Sequence, residues 1–579
     1  MHHQMETDME RSSRIRSALS RYLQGALLGL GYFIFDGIGA YFAVPELLDP
    51  TLDTAALLGL GALHAMFWGG ILVAIAGAIL PQGIIARLAS KHTAVIAAVG
   101  LVVMGFAFRV QRGLLEEFNS ATTTASTPVL FLMVDTLRAD TLYGGGLDFP
   151  LTPTFAAQAK DAQLFLDAES TAGWTIPSLG ALLSGIHNLS FDGSAGRVPS
   201  DIPLLPKHLQ EAGYASHAVV DNNIVEVRVG FGGGFETYFQ RSGYRFAFSL
   251  PAFRALPTRF REKLREHLYT SYYGSPGVTA VADSLLKQHY AAELDKPIFL
   301  YVHYMDPHAP YHLHDHLKPD PDDAEPIDYY EFRDILRADI SLRPTPGQLS
   351  RLLHRYENEL RFMDGDLAQL IEDFRALTND EGLIILTSDH GEEFLDHGRL
   401  GHGSTVYREM VNVPLMIWWP KSQRKVLDYQ RVEDRAVSLL DLTPTILDAL
   451  DVTPLPSPIT MQGESFLPKL SDPTIPIQGS PIIASHARNG RRTYRYRNGE
   501  QVALMTHYFD DRPSEYEIFR LGDDPKELKN LASDNPKLKK DLIAKLTKEI
   551  RRLEAAREKS QDHDTEANEE ALRALGYIE

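Results

Sequence analysis

The 579-residue chain contains no cysteine. Disulfides, thiolate nucleophiles and zinc–cysteine sites are therefore excluded, and a metal site would have to use histidine and carboxylate ligands. Positive charge is also scarce: 57 Lys and Arg stand against 76 Asp and Glu, for a net charge of −19. That balance argues against general nucleic-acid binding, which needs basic surface against the phosphate backbone. No segment repeats internally.

What the chain does have begins with three apolar stretches, Leu23–Val44, Ala55–Leu80 and Thr93–Phe108, the last extendable through Val110. Each approaches the roughly 20 residues that cross a bilayer. Their glycines suit membrane helices. The first is long for a cleaved signal peptide and is followed by others. Buried helices of a soluble domain are the alternative reading.

Arg11, Arg14, Arg16 and Arg21 precede the first stretch, the loop Pro45–Thr54 has acids but no Lys or Arg, and the next loop carries Arg87 and Lys91. Positive loops stay cytoplasmic. The N-terminus is thus expected inside and everything beyond about residue 112 outside, with Arg109 and Arg112 opposing weakly. Asp36, within the first span, is costly there and marks a functional or packing site. The expected organisation is a three-helix transmembrane region over 1–112 (spans about 23–44, 55–80 and 93–110) and a polar linker over 113–127. A catalytic domain over 128–480 and a C-terminal subdomain with a helical tail over 481–579 follow. The location implied is a cell (inner or plasma) membrane, with the catalytic domain periplasmic or extracellular.

Beyond the linker, apolar strands alternate with helical stretches, which predicts an α/β domain with a largely parallel sheet between helices. Strand candidates include Ala218–Val220, Ile298–His303, Leu383–Ser388 and Leu415–Trp418, and Arg495–Phe519 can supply a small antiparallel sheet. Pro536–Arg557 reads as a charged amphipathic helix, with Asn535 as N-cap and Pro536 at its first position. Leu313–Ser350, rich in Asp, His and Pro, reads as an inserted acidic surface segment, and Phe231–Gly234 as backbone turns rather than a phosphate cradle.

Three segments carry chemistry. The apolar run Val129–Val134 reads as a buried parallel strand delivering Asp135 at its C-terminal end, where α/β sheets place ligands. Leu383–Ser388 follows the same logic and ends in Asp389-His390. Gly173-Trp174-Thr175-Ile176-Pro177 opens a helix: Pro177 suits its first position, so Thr175 lies just before an N-terminus that favours anions. Each segment alone has a plain reading as a helix cap. Together, two strands of which one ends in Asp-His suggest a cation held by carboxylates and imidazole.

These segments resemble the sulfatase branch of the alkaline phosphatase superfamily. Further landmarks agree, among them Leu151–Phe155, His208–Tyr214, Tyr301–Tyr311, Leu400–Gly403 with Val413–Leu415, Asp441–Thr445, Gln462–Ser465 and Glu517–Leu531. The resemblance covers about 127–579. It implies a three-layer α/β/α domain with a small C-terminal antiparallel subdomain, and a divalent metal (zinc, manganese or calcium) shared by Asp135, Asp389, His390 and the nucleophile Thr175. Relatives differ on whether a second metal is present.

The family normally carries Cys or Ser at the nucleophile, oxidised to formylglycine, and an Arg four residues on. Thr175 cannot form that aldehyde, and Leu179 holds the Arg position. A threonine nucleophile is typical of relatives acting on phosphate esters: phosphodiesterases, phosphoethanolamine transferases and lipoteichoic acid synthases. The resemblance implies His402 and His308 on the substrate side as catalytic groups, with His303 and Asp306 as substrate-binding candidates. His312, His314 and His316 alternate with polar residues and read as solvated, and His397 is a weaker candidate. A membrane lipid or an envelope glycan is the expected substrate. Two alternatives stand beside phosphoryl chemistry: a sulfuric ester hydrolase lacking formylglycine, and a catalytically silent binding module.

Overall fold

In a computed structural model, the described residues run from 127 to 557, except 241–273, 322–342 and residues within 145–148, 192–195, 293–295, 313–319, 428–430, 471–480 and at 489. The three proposed membrane spans and Asp36 lie outside them. Among the described residues no helix is long and apolar enough to cross a membrane.

The strands are β1 (Val129–Val134), β2 (Gln163–Glu169), β3 (Ala215–Val220), β4 (Thr237–Gln240), β5 (Ile298–Tyr304), β6 (Leu383–Thr387), β7 (Glu393–Phe394), β8 (Leu400–Gly401), β9 (Asn412–Trp418), β10 (Val432–Glu433), β11 (Val437–Ser438), β12 (Ile482–Arg488), β13 (Arg491–Asn498), β14 (Gln501–Tyr508) and β15 (Glu515–Arg520). The main sheet has the order β10-β2-β9-β6-β1-β5-β3-β4, with β11 paired to β2. It is parallel except for β9, which runs antiparallel to β2 and β6. Every residue of β1, β5 and β6 is buried. Strands covered on both faces must be apolar on both, which explains their unbroken hydrophobic runs.

Four helices matter for the site and its frame: α1 (Thr175–Ser184), α2 (Gly274–Ala291), α3 (Pro346–Leu377) and α4 (Pro536–Arg557). Helix α3 begins with a reciprocal cap: Thr345 Oγ1 accepts from Gln348 N–H, and the Gln348 side chain accepts from Thr345 N–H. That pairing satisfies two otherwise orphaned donors. It also means that residues 346–350, assigned from sequence to a surface insertion, are the first turn of a 32-residue helix.

The second sheet, β12-β13-β14-β15, is antiparallel. Leu542, Leu546, Ile550 and Leu553 repeat at helical spacing along α4 and form a core with Tyr494, Ala503 and Ile518 of the sheet and Leu189 of the main domain. Buried charge joins the two parts as well. Arg495 of β13 is fully buried, donates twice to Glu169 at the end of β2 (3.1 and 3.0 Å) and once to Glu527 (2.6 Å). Removing one member of such a network leaves buried charge uncompensated. Arg495→Ala is therefore expected to cost about 3–5 kcal/mol, read as a lower denaturant midpoint, whereas a midpoint shift equivalent to less than about 1 kcal/mol, typical of surface pairs, would contradict the reading.

Candidate active site

The parallel strands β6, β1, β5 and β3 are neighbours, so their C-terminal ends open at one edge. Asp135 follows β1, Asp389 and His390 follow β6, His303 lies in β5, and Asn222 lies just past β3. Sheet topology, rather than sequence proximity, assembles the site, as expected for the carboxyl end of such sheets.

The polar atoms there are sorted with one consistent remainder. Asp135 Oδ2 accepts from Asn222 Nδ2 at 2.6 Å and lies 3.2 Å from His303 Nε2. Asp389 Oδ1 accepts from the backbone N–H of His390 (2.9 Å) and of Thr136 (3.3 Å). His390 Nδ1 lies 2.9 Å from the Gly391 carbonyl, which assigns the ring proton to Nδ1. Among the described residues, Asp135 Oδ1 and Asp389 Oδ2 are buried without a hydrogen-bond partner. Both face His390 Nε2, at 3.8 and 3.4 Å. Thr175 Oγ1 lies 3.4 Å from the same nitrogen.

Two orphaned carboxylate oxygens converging on one imidazole nitrogen in a dry site repel one another unless positive charge, a metal ion or a proton on that nitrogen, joins them. The ligand atoms of Asp135, Asp389 and His390 lie within 4.8 Å of one another. Oxygen and nitrogen donors of this kind fit a divalent metal without choosing one. The electrostatics agree. Burial opposes ionisation of Asp135, but the imidazoles of His308, His303 and His390 hold its carboxyl well below the usual range. Burial, and then the Asp135 charge, push Asp389 upward.

Thr175 is the first residue of α1 and is buried. The helix therefore begins two residues before Pro177, which occupies its third position. This corrects the placement of Pro177 at the first helical position; a proline is tolerated there because the N–H groups of the first turn have no intrahelical partner. Ser178, one turn into α1, donates to the Asp389 carbonyl and so fastens the helix N-terminus to the metal-side loop. On the other side, Gly403 N–H donates to the Gly173 carbonyl at 2.9 Å. A Cβ on Gly173 would meet the Thr405 carbonyl at 2.5 Å, so only glycine allows this approach. That contact carries His402 to the site.

The His402 ring lies 4.8 Å from the His390 ring and 4.7 Å from that of His308, centroid to centroid. Its Nδ1 is 3.0 Å from Oε1 of the buried Glu392. His308 and His402 are thus brought together beside Asp135, Asp389, His390 and Thr175. His303 is completely buried, held between Asp135 and the Tyr301 hydroxyl at 3.2 Å. It is placed behind the carboxylate rather than on an open surface. Asp306 is likewise fully buried just past β5.

His312 and His314, expected to be solvated, are buried instead. The His312 N–H donates to Glu359, His314 Nε2 lies 2.9 Å from Glu359, and the His314 ring stacks on Phe362. A carboxylate on α3 organises both, which alternation along the chain does not reveal. His316 is outside the described residues. Asn222 and Glu392 were missed from sequence. Asn222 follows the strand Ala215–Val220 as Asp135 follows β1, and a search of strand ends for amides would have found it. Glu392 stands two residues beyond His390 but gives no signal of its pairing with His402.

His397 is tied elsewhere, 2.8 Å from Glu409 and stacked on Tyr407. Burial opposes its charge, but the hydrogen bond with Glu409 raises its pKa to about 9 from an ordinary 6.5. Burial, with Glu409 adding, pushes Glu393 up to about 7. Both folded values exceed the unfolded ones, so both contributions to stability are lost as pH rises through the folded pKa. Denaturant midpoints should fall between pH 6.5 and about 9, and His397→Gln should flatten the fall. A midpoint that rises across this range would contradict the assignment.

The Sulfatase family model matches residues 127–452, and the model of the N-sulphoglucosamine sulphohydrolase C-terminal region matches 397–556. The chain belongs to the sulfatase family of hydrolases. Arylsulfatase K of Rattus norvegicus is 27% identical over 227 residues, covering 37% of this chain and 38% of that protein. An uncharacterised sulfatase of Escherichia coli (strain K12), YdeN, is 24% identical over 391 residues, covering 62% of this chain and 61% of that one. The fold is similar to that of the phosphonate monoester hydrolase of Agrobacterium radiobacter, with TM-score 0.55 and 18% identity over 76% of this chain and 96% of that one. The Arg position of the sulfatase pattern is occupied by Leu179, which is buried in the main apolar core.

Proposed function

We propose that the chain is a membrane-anchored, metal-dependent sulfatase-family enzyme that cleaves or transfers phosphate-type esters through Thr175, on the outer face of the membrane. The observation that carries this reading is the convergence of Thr175 Oγ1, His390 Nε2 and the two unpartnered carboxylate oxygens at the start of α1.

Asp135, Asp389 and His390 would hold a divalent ion, which would supply positive charge to lower the pKa of the Thr175 hydroxyl and to screen the incoming anion. The first turn of α1 adds its positive dipole end. Thr175 Oγ attacks phosphorus and its proton goes to solvent. The bond from phosphorus to the ester oxygen breaks, and His402 or His308 protonates the departing alcohol. Water, or an acceptor alcohol, then attacks the phosphothreonine, and the neutral imidazole takes the proton of the attacking group. The phosphorus–Oγ bond breaks, Oγ takes a proton back from solvent, and the Thr175 hydroxyl is restored. Water gives hydrolysis and an alcohol gives transfer.

Asn222 and His303 hold Asp135 Oδ2 and leave Oδ1 toward His390 Nε2, where it would be available to a bound ion, the outer support that metal ligands need. The reading is tested with the full chain, loaded with a divalent ion, on matched aryl phosphodiesters and aryl sulfates. Faster turnover of the phosphodiester is expected. Turnover of the sulfate alone would replace this reading with sulfuric ester hydrolysis, the alternative favoured by relatives named as sulfatases.

The membrane part of the reading rests on the apolar stretches, their flanking arginines and a linker of about fifteen residues, which spans at most about 50 Å even when fully extended. Such a tether keeps the catalytic domain near the outer leaflet, where a lipid headgroup or an envelope glycan is the substrate at hand. The absence of cysteine makes this directly testable. In intact cells a membrane-impermeant maleimide should label a Ser126→Cys chain and leave a Ser90→Cys chain unlabelled. The opposite pattern would place the catalytic domain inside.

A further inference from the structure

We propose that Glu392 is the positioning residue for His402, fixing which nitrogen of that ring serves the leaving group. The proposal rests on the phosphoryl reading above and adds a residue that reading does not need. Glu392 stands two residues past His390, and its carboxylate bridges two side chains from other segments. Oε1 is 3.0 Å from His402 Nδ1, and Oε2 accepts from the Tyr311 hydroxyl at 3.0 Å.

The carboxylate is completely buried and both of its oxygens are engaged. A buried carboxylate held from one side by a phenol has little freedom, so it sets the plane and tautomer of the imidazole on its other side. With Nδ1–H committed to Glu392, Nε2 becomes the atom that gives a proton to the departing alcohol and takes one from the incoming water. Tyr311 comes from the same segment as His308, three residues on, and packs against Tyr356 and Phe394 at 5.7 Å each, centroid to centroid. The arrangement thus ties the His308 segment and the His402 loop to one carboxylate.

A residue that orients a proton donor matters in proportion to how badly the leaving group needs a proton. The test uses the full chain with its divalent ion and two phosphodiesters, one releasing 4-nitrophenolate and one releasing a simple alcohol. Glu392→Gln should lower kcat on the alkyl ester by roughly 10–100-fold and on the nitrophenyl ester by less than about 3-fold. Glu392→Asp should recover part of the alkyl rate. In a His402→Ala background the Glu392→Gln change should have little further effect on the alkyl ester, because the proposed orienting role runs through that ring.

Equal losses on both esters, or full additivity with His402→Ala, would overturn the proposal and leave Glu392 a structural residue. If the parent protein turns over sulfate esters and not phosphodiesters, the phosphoryl reading fails by itself. The same comparison with aryl and alkyl sulfates then decides the role of Glu392, by the same two outcomes.

Discussion

Thr175→Ala is expected to lower turnover by roughly 10⁴-fold or more, the scale on which enzymes lose activity when a covalent nucleophile is removed. The fold should be unaffected. Thr175 is the first residue of α1, where alanine is a good helix former, and no core packing depends on its hydroxyl. The loss should fall on kcat. Thr175→Ser, which keeps the hydroxyl, should retain far more activity than alanine does. Unaltered kcat in the alanine variant, measured on the best phosphodiester, would remove Thr175 from the mechanism.

The second large effect concerns the metal. Chelation should abolish activity, and zinc, manganese or calcium should restore it. Asp389→Ala should weaken metal affinity by more than the roughly 10–100-fold typical of losing an outer partner such as Asn222. The reason is geometric: among the described residues, Asp389 Oδ2 has no hydrogen-bond partner. Metal content after dialysis, measured directly and without reference to activity, checks this. An Asp389→Ala protein that retains metal as well as the parent would show that the ion is held elsewhere.

The frame of this site was largely legible in the sequence. Val129–Val134 and Leu383–Thr387 are buried on both faces, so their apolar runs, followed directly by Asp135 and, after Ser388, by Asp389-His390, announce both the strand and the residues it delivers. Pro536–Arg557 was legible because its leucines recur at helical spacing and Pro536 marks the start. Partnerships across the sheet were not. Asn222 supports Asp135 from 87 positions away, and Glu359 gathers His312 and His314 from 47 and 45 positions away. Periodicity describes one segment against solvent or core and carries no information about which distant polar group will meet it. That is why His314 reads as solvated along the chain and is buried in the fold. The helix start at Thr175 was misplaced by two residues because Pro177 is compatible with every position of the first turn.

The central claim, that Thr175 is the nucleophile of a phosphoryl-transfer step, is tested most directly by trapping. The full chain, loaded with a divalent ion, is mixed with a slowly turned-over phosphodiester, quenched in acid and digested, and its peptides are weighed. The account predicts a phosphoryl adduct on the peptide containing Thr175, absent from the Thr175→Ala protein. Turnover of the diester with an adduct on another residue, or with no adduct at any quench time, would contradict it.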